Sequence, residues 1–175
     1  MCMYSAENGL ANDWHLTHYL TRAVGGVGTI VVEATGVLPE GRITEQDLGL
    51  WDDSQIAPLK RIVEEVRKYD CLIGIQLNHA GRKSQTNGTI FAPSPLAFET
   101  MQLPAELTKA DIRRVVESFR QAAIRADCAG FDFIQIHGAH GYLINQFLSP
   151  LANKRTDEYG GCLPNRTRFL HEIIE

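Results

Sequence analysis

The chain has 175 residues, of which 44% are hydrophobic and 22% charged, a composition typical of a soluble globular protein with one ordinary core. Its formal net charge of −4 offers no basic surface for a nucleic-acid backbone. No apolar run approaches the roughly 18 residues that a membrane span requires. We therefore expect a cytoplasmic protein that binds neither nucleic acid nor membrane.

The four cysteines show neither a C-x-x-C pair nor the spacing of a zinc site. We expect reduced thiols, with no disulfide framework and no bound metal. Cys71 and Cys128 border apolar runs and are expected to be buried as small core residues.

The first half of the chain alternates helical with extended patterns. Residues 12–24 have apolar side chains at helical spacing, and 28–34 (GTIVVEA) form a β-branched run between turn residues. A second helix is predicted over 53–69, where Pro58 falls early enough to be tolerated. Residues 71–77 (CLIGIQL) resemble the first strand and predict a second.

The second half repeats this alternation. Thr108 and Asp111 have capping-box spacing at the start of a long apolar stripe, and Gly130 follows it as a C-terminal stop. Residues 131–137 (FDFIQIH) predict a third strand. A short helix follows, and a further helix is predicted to begin near Asn165 and to continue to the end of the chain.

This order of elements indicates an α/β architecture. The strands are almost continuously apolar, which is typical of parallel strands covered on both faces. Long loops follow each strand, and no G-x-G-x-x-G motif is present, so a barrel is favoured over a doubly wound sheet. Because the last helix runs into Glu175 and no full strand fits before residue 4, we expect one domain over 1–175 that is truncated at both ends.

His137, His140 and Tyr142 follow the third strand in the stretch IHGAHGYL. Two imidazole N–H groups can donate to one carbonyl oxygen or oxyanion, and a phenol can deliver a proton. A metal site and ordinary structural histidines are the competing interpretations of the pair. Tyr142 is as readily explained by packing as by catalysis.

Other polar residues lie at predicted strand ends. Gln76 ends an apolar strand, where its amide needs partners, either backbone groups or a planar heterocycle. Cys2 and Tyr4 lie in the opening MCMYS, where a thiol is either a redox contact or an inert buried group. Three loop residues are assigned structural roles, as hydrogen-bonding groups or a helix N-cap: Arg155, Asp157 and Asn165.

With these residues assembled, the sequence resembles the old yellow enzyme family of FMN-dependent oxidoreductases, and its opening is similar to the bacterial NADPH dehydrogenase subgroup. The resemblance spans essentially the whole chain. It is carried, in order, by MCMYS, VVEATGVLPEGRIT, IGIQLNHAGRK, FAPSPLAF, GFDFIQIHGAHGYLINQFLSPLANKRTDEYGG and NRTRFL.

The resemblance implies a (β/α)8 barrel, of which this chain supplies about the N-terminal half. It also implies tightly bound FMN, NADPH as reductant, and reduction of alkenes activated by a carbonyl or nitro group. The full-length form is expected to be capable of forming a homo-oligomer. The implied roles are flavin contacts for Met1, Cys2, Ala34 and Gln76, a substrate contact for Tyr4, an oxygen clamp for His137 and His140, and proton donation by Tyr142.

The chain departs from the family pattern in length. The residues expected to bind the FMN phosphate, and an arginine near flavin N1, are not in it. Two other functions are therefore kept open. One is a metal-dependent barrel hydrolase using His79, His137 and His140, and the other is a non-catalytic remnant that only folds or associates.

Overall fold

The computed structural model describes residues 2–175, so the predicted flavin contact of Met1 lies outside the described residues. The helices are α1 (Asp13–Val24), α2 (Ile56–Val66), α3 (Lys109–Ala129), α4 (Leu143–Leu148) and α5 (Leu163–Ile174). The strands are β1 (Thr29–Gly36), β2 (Leu72–Asn78), β3 (Phe91–Ala92), β4 (Ala105–Glu106) and β5 (Phe133–Ile136). The three predicted strands and five predicted helices are all present, with shifted ends.

Strands β1, β2 and β5 form a parallel sheet in that order, with β2 in the centre. The pairing of β1 with β2 is irregular at one point, because Val32 lies opposite Ile75 whereas Ala34 lies opposite Gln76. Glu33 is therefore the extra residue of a β-bulge. A bulge bends its strand and redirects the side chains beside it, and bulges are common next to functional sites.

The helix ends follow the capping signals in the sequence. The hydroxyl of Thr108 accepts a hydrogen bond from the Asp111 N–H, and the Asp111 carboxylate accepts from the Thr108 N–H, which completes the predicted capping box of α3. Gly130 closes α3 with φ 90°, a left-handed conformation that suits glycine. The strongest helix prediction is thus confirmed at both ends.

Two details of the helix predictions are wrong. Helix α5 begins at Leu163, with Cys162 as its N-cap residue, so Asn165 lies within the first turn and is not a cap. Pro164 accounts for the earlier start, because its fixed φ is suited to the first helical positions. Cys128 is exposed on α3, since it lies off the buried stripe that Ala122, Ala126 and Ala129 form.

The core lies between the sheet and the helices on one of its faces. Leu59, Ile62 and Val66 of α2 are buried there with Ile73 and Ile75 of β2. Burial of each such side chain contributes about 1.5–3 kcal/mol relative to exposure. This layer fixes the strands whose carboxyl ends carry the polar residues.

The other face of the sheet is open within residues 2–175, so the expectation that both faces are covered is wrong for this part of the chain. Val31, Leu72 and Ile134 are 39%, 56% and 36% exposed on neighbouring strands. Across the same described range, no helix combines the length and apolar character that crossing a membrane requires.

A buried arginine joins the two long loops that follow β2 and β5. The Arg155 guanidinium donates to the carbonyl oxygens of Pro93 and Leu107, at 3.1 and 2.6 Å, and makes a two-point contact with the Asp157 carboxylate. The predicted loop-fixing role of Arg155 and Asp157 is confirmed by these contacts.

Candidate active site

The carboxyl ends of β1, β2 and β5 bring together residues that are far apart in sequence. Ala34 of β1 lies beside Gln76 of β2, which in turn lies beside Gln135 of β5. The amide nitrogen of Gln76 donates to the side-chain oxygen of Gln135 at 2.6 Å. The sequence leaves the partner of Gln76 open between backbone groups and a planar heterocycle. In the structure, the partner is another side-chain amide on the open face of the sheet.

His137, His140 and Tyr142 come together in one turn after β5. The ring centroids of His137 lie 5.0 Å from both the His140 ring and the Tyr142 ring, and all three rings meet edge to face. His140 and Gly141 both have positive φ, 56° and 73°, and α4 begins directly afterwards at Leu143. The left-handed pair turns the chain back on itself, which is why residues five apart share one site.

A hydrogen bond determines which ring nitrogen of His137 carries the proton. Its Nδ1 atom accepts from the Ala139 N–H at 3.3 Å, so the proton of the neutral ring is on Nε2. Burial, and then the neighbouring His140, lower the pKa of His137, which keeps the ring neutral at physiological pH. Nε2 of His137 is therefore a neutral donor, and it lies 3.3 Å from Nδ1 of His140.

Tyr142 retains its proton over the physiological pH range. Burial is the main cause that raises the pKa of its phenol to about 12, and the Cys2, Tyr4 and Asp47 groups add to it. The side chain is half-buried and packs against an apolar group formed by Ala34, Ile43 and Ala80. A phenol in this state can donate a proton to an atom that gains negative charge.

Cys2 packs against the same apolar group. Its thiol lies 3.6 Å from the carbonyl oxygen of Ala34, to which it donates. Burial, followed by the carboxylates of Asp47 and Glu33, raises the pKa of the thiol to about 12. Cys2 is thus held as a neutral thiol, which argues against a freely reactive thiolate.

Tyr4 lies at the rim of the site. Its side chain is 51% exposed, and its backbone has φ 52°. Burial, and then Cys2, Asp47 and Glu33, raise the pKa of its phenol. The exposed ring is accessible to a ligand that enters from solvent.

The residues that hold the histidine turn (residues 137–142) in place were not predicted from the sequence. The Lys83 ammonium group donates to the carbonyl oxygen of His140 at 2.9 Å and lies 5.9 Å from the centre of the Tyr142 ring. The Gln146 amide donates to the carbonyl oxygens of Gly141 and Ala80. The sequence contains one signal for Lys83, since Arg82 and Lys83 form a basic pair after NHAG in the loop that follows β2.

The structure gives no support to a metal site. Among residues 2–175 there is no group of three or more His, Cys, Asp or Glu side chains that could hold an ion. His79 is fully buried against Gly41, and its Nδ1 accepts from the Gly81 N–H. Burial lowers the pKa of His79 to about 4, so its ring is neutral within the protein.

The polar groups at the three strand ends suit the edge of a planar heterocycle. The Gln76 amide carries both a donor and an acceptor, and the nearby Ala34 and Ala80 are small apolar side chains against which Cys2 and Tyr142 pack. The histidine turn stands beside them. The parallel sheet, the long loops that follow its strands and this cluster of polar groups at the strand ends have the features of part of a (β/α)8 barrel.

Comparison with known proteins defines the family. The family model for NADH:flavin oxidoreductases and NADH oxidases matches residues 1–175. The chain belongs to this family of enzymes. The resemblance to the old yellow enzyme family is thereby confirmed.

Two curated relatives are NADPH dehydrogenases. That of Clostridium acetobutylicum is 58% identical to this chain, and that of Bacillus subtilis is 53% identical, each over the whole of this chain. The alignments cover 52% and 53% of the relatives, so the chain spans about half of their length.

Solved structures confirm the fold class. Morphinone reductase matches with a TM-score of 0.92 and 34% identity over 99% of this chain and 52% of its own. A structure of morphinone reductase in complex with tetrahydroNAD matches with a TM-score of 0.92 and 35% identity, and covers 99% of this chain and 53% of that one. The three-stranded parallel sheet is thus part of a TIM barrel, as predicted.

Proposed function

We propose that the protein containing this chain is an FMN-dependent, NADPH-reduced ene-reductase. Its substrates would be enones, enals or nitroalkenes, in which a C=C bond is conjugated to an oxygen-bearing group. The observation that carries the proposal is the grouping of His137, His140 and Tyr142 in one turn beside Ala34 and Gln76. The family membership and the NADPH dehydrogenase relatives support the cofactor and the reductant.

The residues for the cofactor are those at the strand ends. Cys2, Ala34 and Gln76 would lie against the flavin ring, and bound FMN would supply hydride chemistry. The Cys2 thiol donates to the Ala34 carbonyl oxygen and is neutral, so its sulfur adds no negative charge to this surface. Such a surface suits a ring that gains electron density when it is reduced.

His137 and His140 would bind the oxygen of the activating group. Their facing nitrogens are 3.3 Å apart, so one oxygen at hydrogen-bond distance can contact both. His137 donates through Nε2, and His140 would donate through Nδ1 once its proton lies there. Donation from two fixed groups strengthens as negative charge develops on the oxygen, and the loss of one such donor typically costs on the order of 10²-fold in rate.

Tyr142 would supply the proton that completes reduction of the C=C bond. Its phenol remains protonated up to a pKa of about 12, so the acid form is fully populated at neutral pH. The Tyr142 ring lies against the His137 ring at 5.0 Å between centroids, which places the acid next to the bound oxygen group. The proton from Tyr142 would thus add to the alkene carbon that is bonded to the activating group.

The direct test uses the full-length, flavin-loaded protein. NADPH should bleach the flavin absorbance without air, and 2-cyclohexen-1-one should restore it with formation of cyclohexanone. Hydrolysis of esters or phosphates with no change in the flavin spectrum would contradict the proposal. A matched sample treated with a metal chelator should keep full activity.

A further inference from the structure

A buried carboxylate connects the opening segment of the chain to the bulge of β1. The side chain of Glu33 is 1% exposed, and its Oε2 atom accepts a hydrogen bond from the Met3 N–H at 2.7 Å. Charged side chains are seldom buried so fully unless they have specific partners. Glu33 is the extra residue of the bulge, so the irregular pairing determines where this carboxylate lies.

The second carboxylate oxygen is held from helix α1. Oε1 of Glu33 accepts from the Tyr19 hydroxyl at 3.3 Å and lies 3.6 Å from Nε2 of His15. The Tyr19 hydroxyl in turn accepts from the Glu33 N–H at 2.9 Å. With one oxygen fixed by α1, the other is directed at the Met3 amide.

Adjacent residues of β1 therefore hold adjacent residues of the opening segment. Glu33 binds the backbone of Met3 through its side chain, and Ala34 accepts from the Cys2 thiol through its carbonyl oxygen. Two contacts one residue apart on both segments fix the direction as well as the position of the Cys2 side chain. A single contact would leave the thiol free to rotate away from β1.

We propose that Glu33 is a positioning residue, which holds Met3 through its backbone and thereby places the Cys2 thiol at the end of β1. The importance of this placement for the flavin depends on the proposed function, in which Cys2 lies against the ring. The placement of Met3 and Cys2 by Glu33 does not depend on the proposed function. No role in proton transfer is needed, because the carboxylate acts through the Met3 amide.

The first measurement is residue-resolved hydrogen exchange in the full-length protein. The Met3 amide should exchange at least about 100-fold more slowly than in an unstructured peptide. Glu33→Ala should speed that exchange by about tenfold or more, because the amide loses its acceptor. Glu33→Gln retains an acceptor oxygen and should keep most of the protection.

Asp47→Asn is the matched control. Asp47 is also a buried carboxylate that raises the pKa of Cys2, but it accepts from the Ile43 and Thr44 amides rather than from residues 2–3. This variant should speed alkylation of Cys2, measured on its peptide by mass spectrometry, and leave Met3 exchange unchanged. Glu33→Ala should speed both the alkylation of Cys2 and the exchange of the Met3 amide.

The link to the cofactor is tested by the flavin midpoint potential. Glu33→Ala should shift that potential in the Cys2 protein and should have no effect in a Cys2→Ser background, because coupled residues give non-additive effects. If exchange responds and the potential does not, the positioning role stands and the proposed contact of Cys2 with the flavin is wrong.

Rapid exchange of the Met3 amide in the unmodified protein would overturn the inference. Equal exchange in Glu33→Ala and the unmodified protein would do the same. If Glu33→Ala does not fold, Met3 exchange in the unmodified protein still tests the inference, since an amide that donates to the Glu33 carboxylate must be protected.

Discussion

Nε2 of His137 and Nδ1 of His140 lie 3.3 Å apart, and the hydrogen bond from the Ala139 N–H leaves His137 with its proton on Nε2. The proton of His137 therefore faces Nδ1 of His140. Under the proposed function, a substrate oxygen would take this donor and would select the tautomer of His140 that carries its proton on Nδ1. Both histidines would then donate to the same oxygen.

The first prediction concerns this pair. His137→Ala should weaken binding of a phenol such as 4-hydroxybenzaldehyde at least about tenfold, because one of two donors to its oxygen is lost. The measurement is a titration of the flavin absorbance in the full-length protein. His171→Ala, which removes an exposed histidine from α5, should leave the affinity unchanged. Equal affinity in both variants would contradict the oxygen clamp.

Tyr142→Phe tests the proton donor. The ring and its contact with His137 are retained, and only the phenolic hydroxyl is lost. Alkene reduction should fall about 10²-fold or more, the typical contribution of a positioned acid, while flavin reduction by NADPH should change little. Stopped-flow absorbance separates the two half-reactions. An equal loss in both would remove Tyr142 from this role.

Lys83→Met tests how the histidine turn is held. The ammonium group donates to the His140 carbonyl oxygen and lies 4.1 Å from the centre of the Phe98 ring. Methionine keeps much of the length but cannot donate, so we expect alkene reduction to slow about tenfold through misplacement of the turn. Lys68→Met removes a surface lysine paired with Glu65 and should have no such effect. Unchanged rates in the Lys83 variant would show that the turn holds its shape alone.

Cys2 should show an unusual dependence of reactivity on pH. A thiol with its pKa raised to about 12 is protonated at all lower pH values, so the thiolate fraction increases about tenfold per pH unit up to that point. The rate of alkylation of Cys2 in the protein, measured on the peptide that contains it, should therefore still be rising at pH 10. A short unstructured peptide with one cysteine, measured in parallel, should already have reached its plateau near that pH. A plateau for Cys2 below pH 9 would contradict the neutral thiol.

Arg155→Met tests the connection between the two long loops. The Arg155 side chain is 5% exposed, and its removal leaves the Pro93 and Leu107 carbonyl oxygens without this donor and Asp157 without its cation. We expect a loss of about 3–5 kcal/mol in the free energy of unfolding, the usual cost of breaking a buried pair. Denaturant unfolding provides the measurement. Arg120→Met, at an exposed pair with Glu117 on α3, should change stability little.

The sequence was most informative where local chemistry decides the structure. Helix α3 could be delimited from Thr108 to Gly130 because capping groups and a left-handed glycine act within a few residues. The grouping of His137, His140 and Tyr142 was predictable because the three lie within one short turn after a strand.

Contacts between distant segments were not predictable. Lys83 and His140 are 57 residues apart, and Glu33 and Met3 are 30 apart, so nothing in either local pattern announces their pairing. The bulge at Glu33 was missed for a related reason, because a run of apolar residues does not reveal which one is left unpaired. The exposure of Cys128 could have been found from the helical period of α3 alone.

The bulge also makes residue 33 separable from the rest of β1. Val32 and Ala34 lie opposite Ile75 and Gln76, which are consecutive on β2, so Glu33 stands outside the regular alternation of side chains. Deleting that one codon would restore a regular ladder and leave Ala34 and Thr35 opposite Gln76 and Leu77. Such a deletion would therefore remove the carboxylate that contacts Met3 and Tyr19 without moving the following residues of β1 to the other side of the sheet.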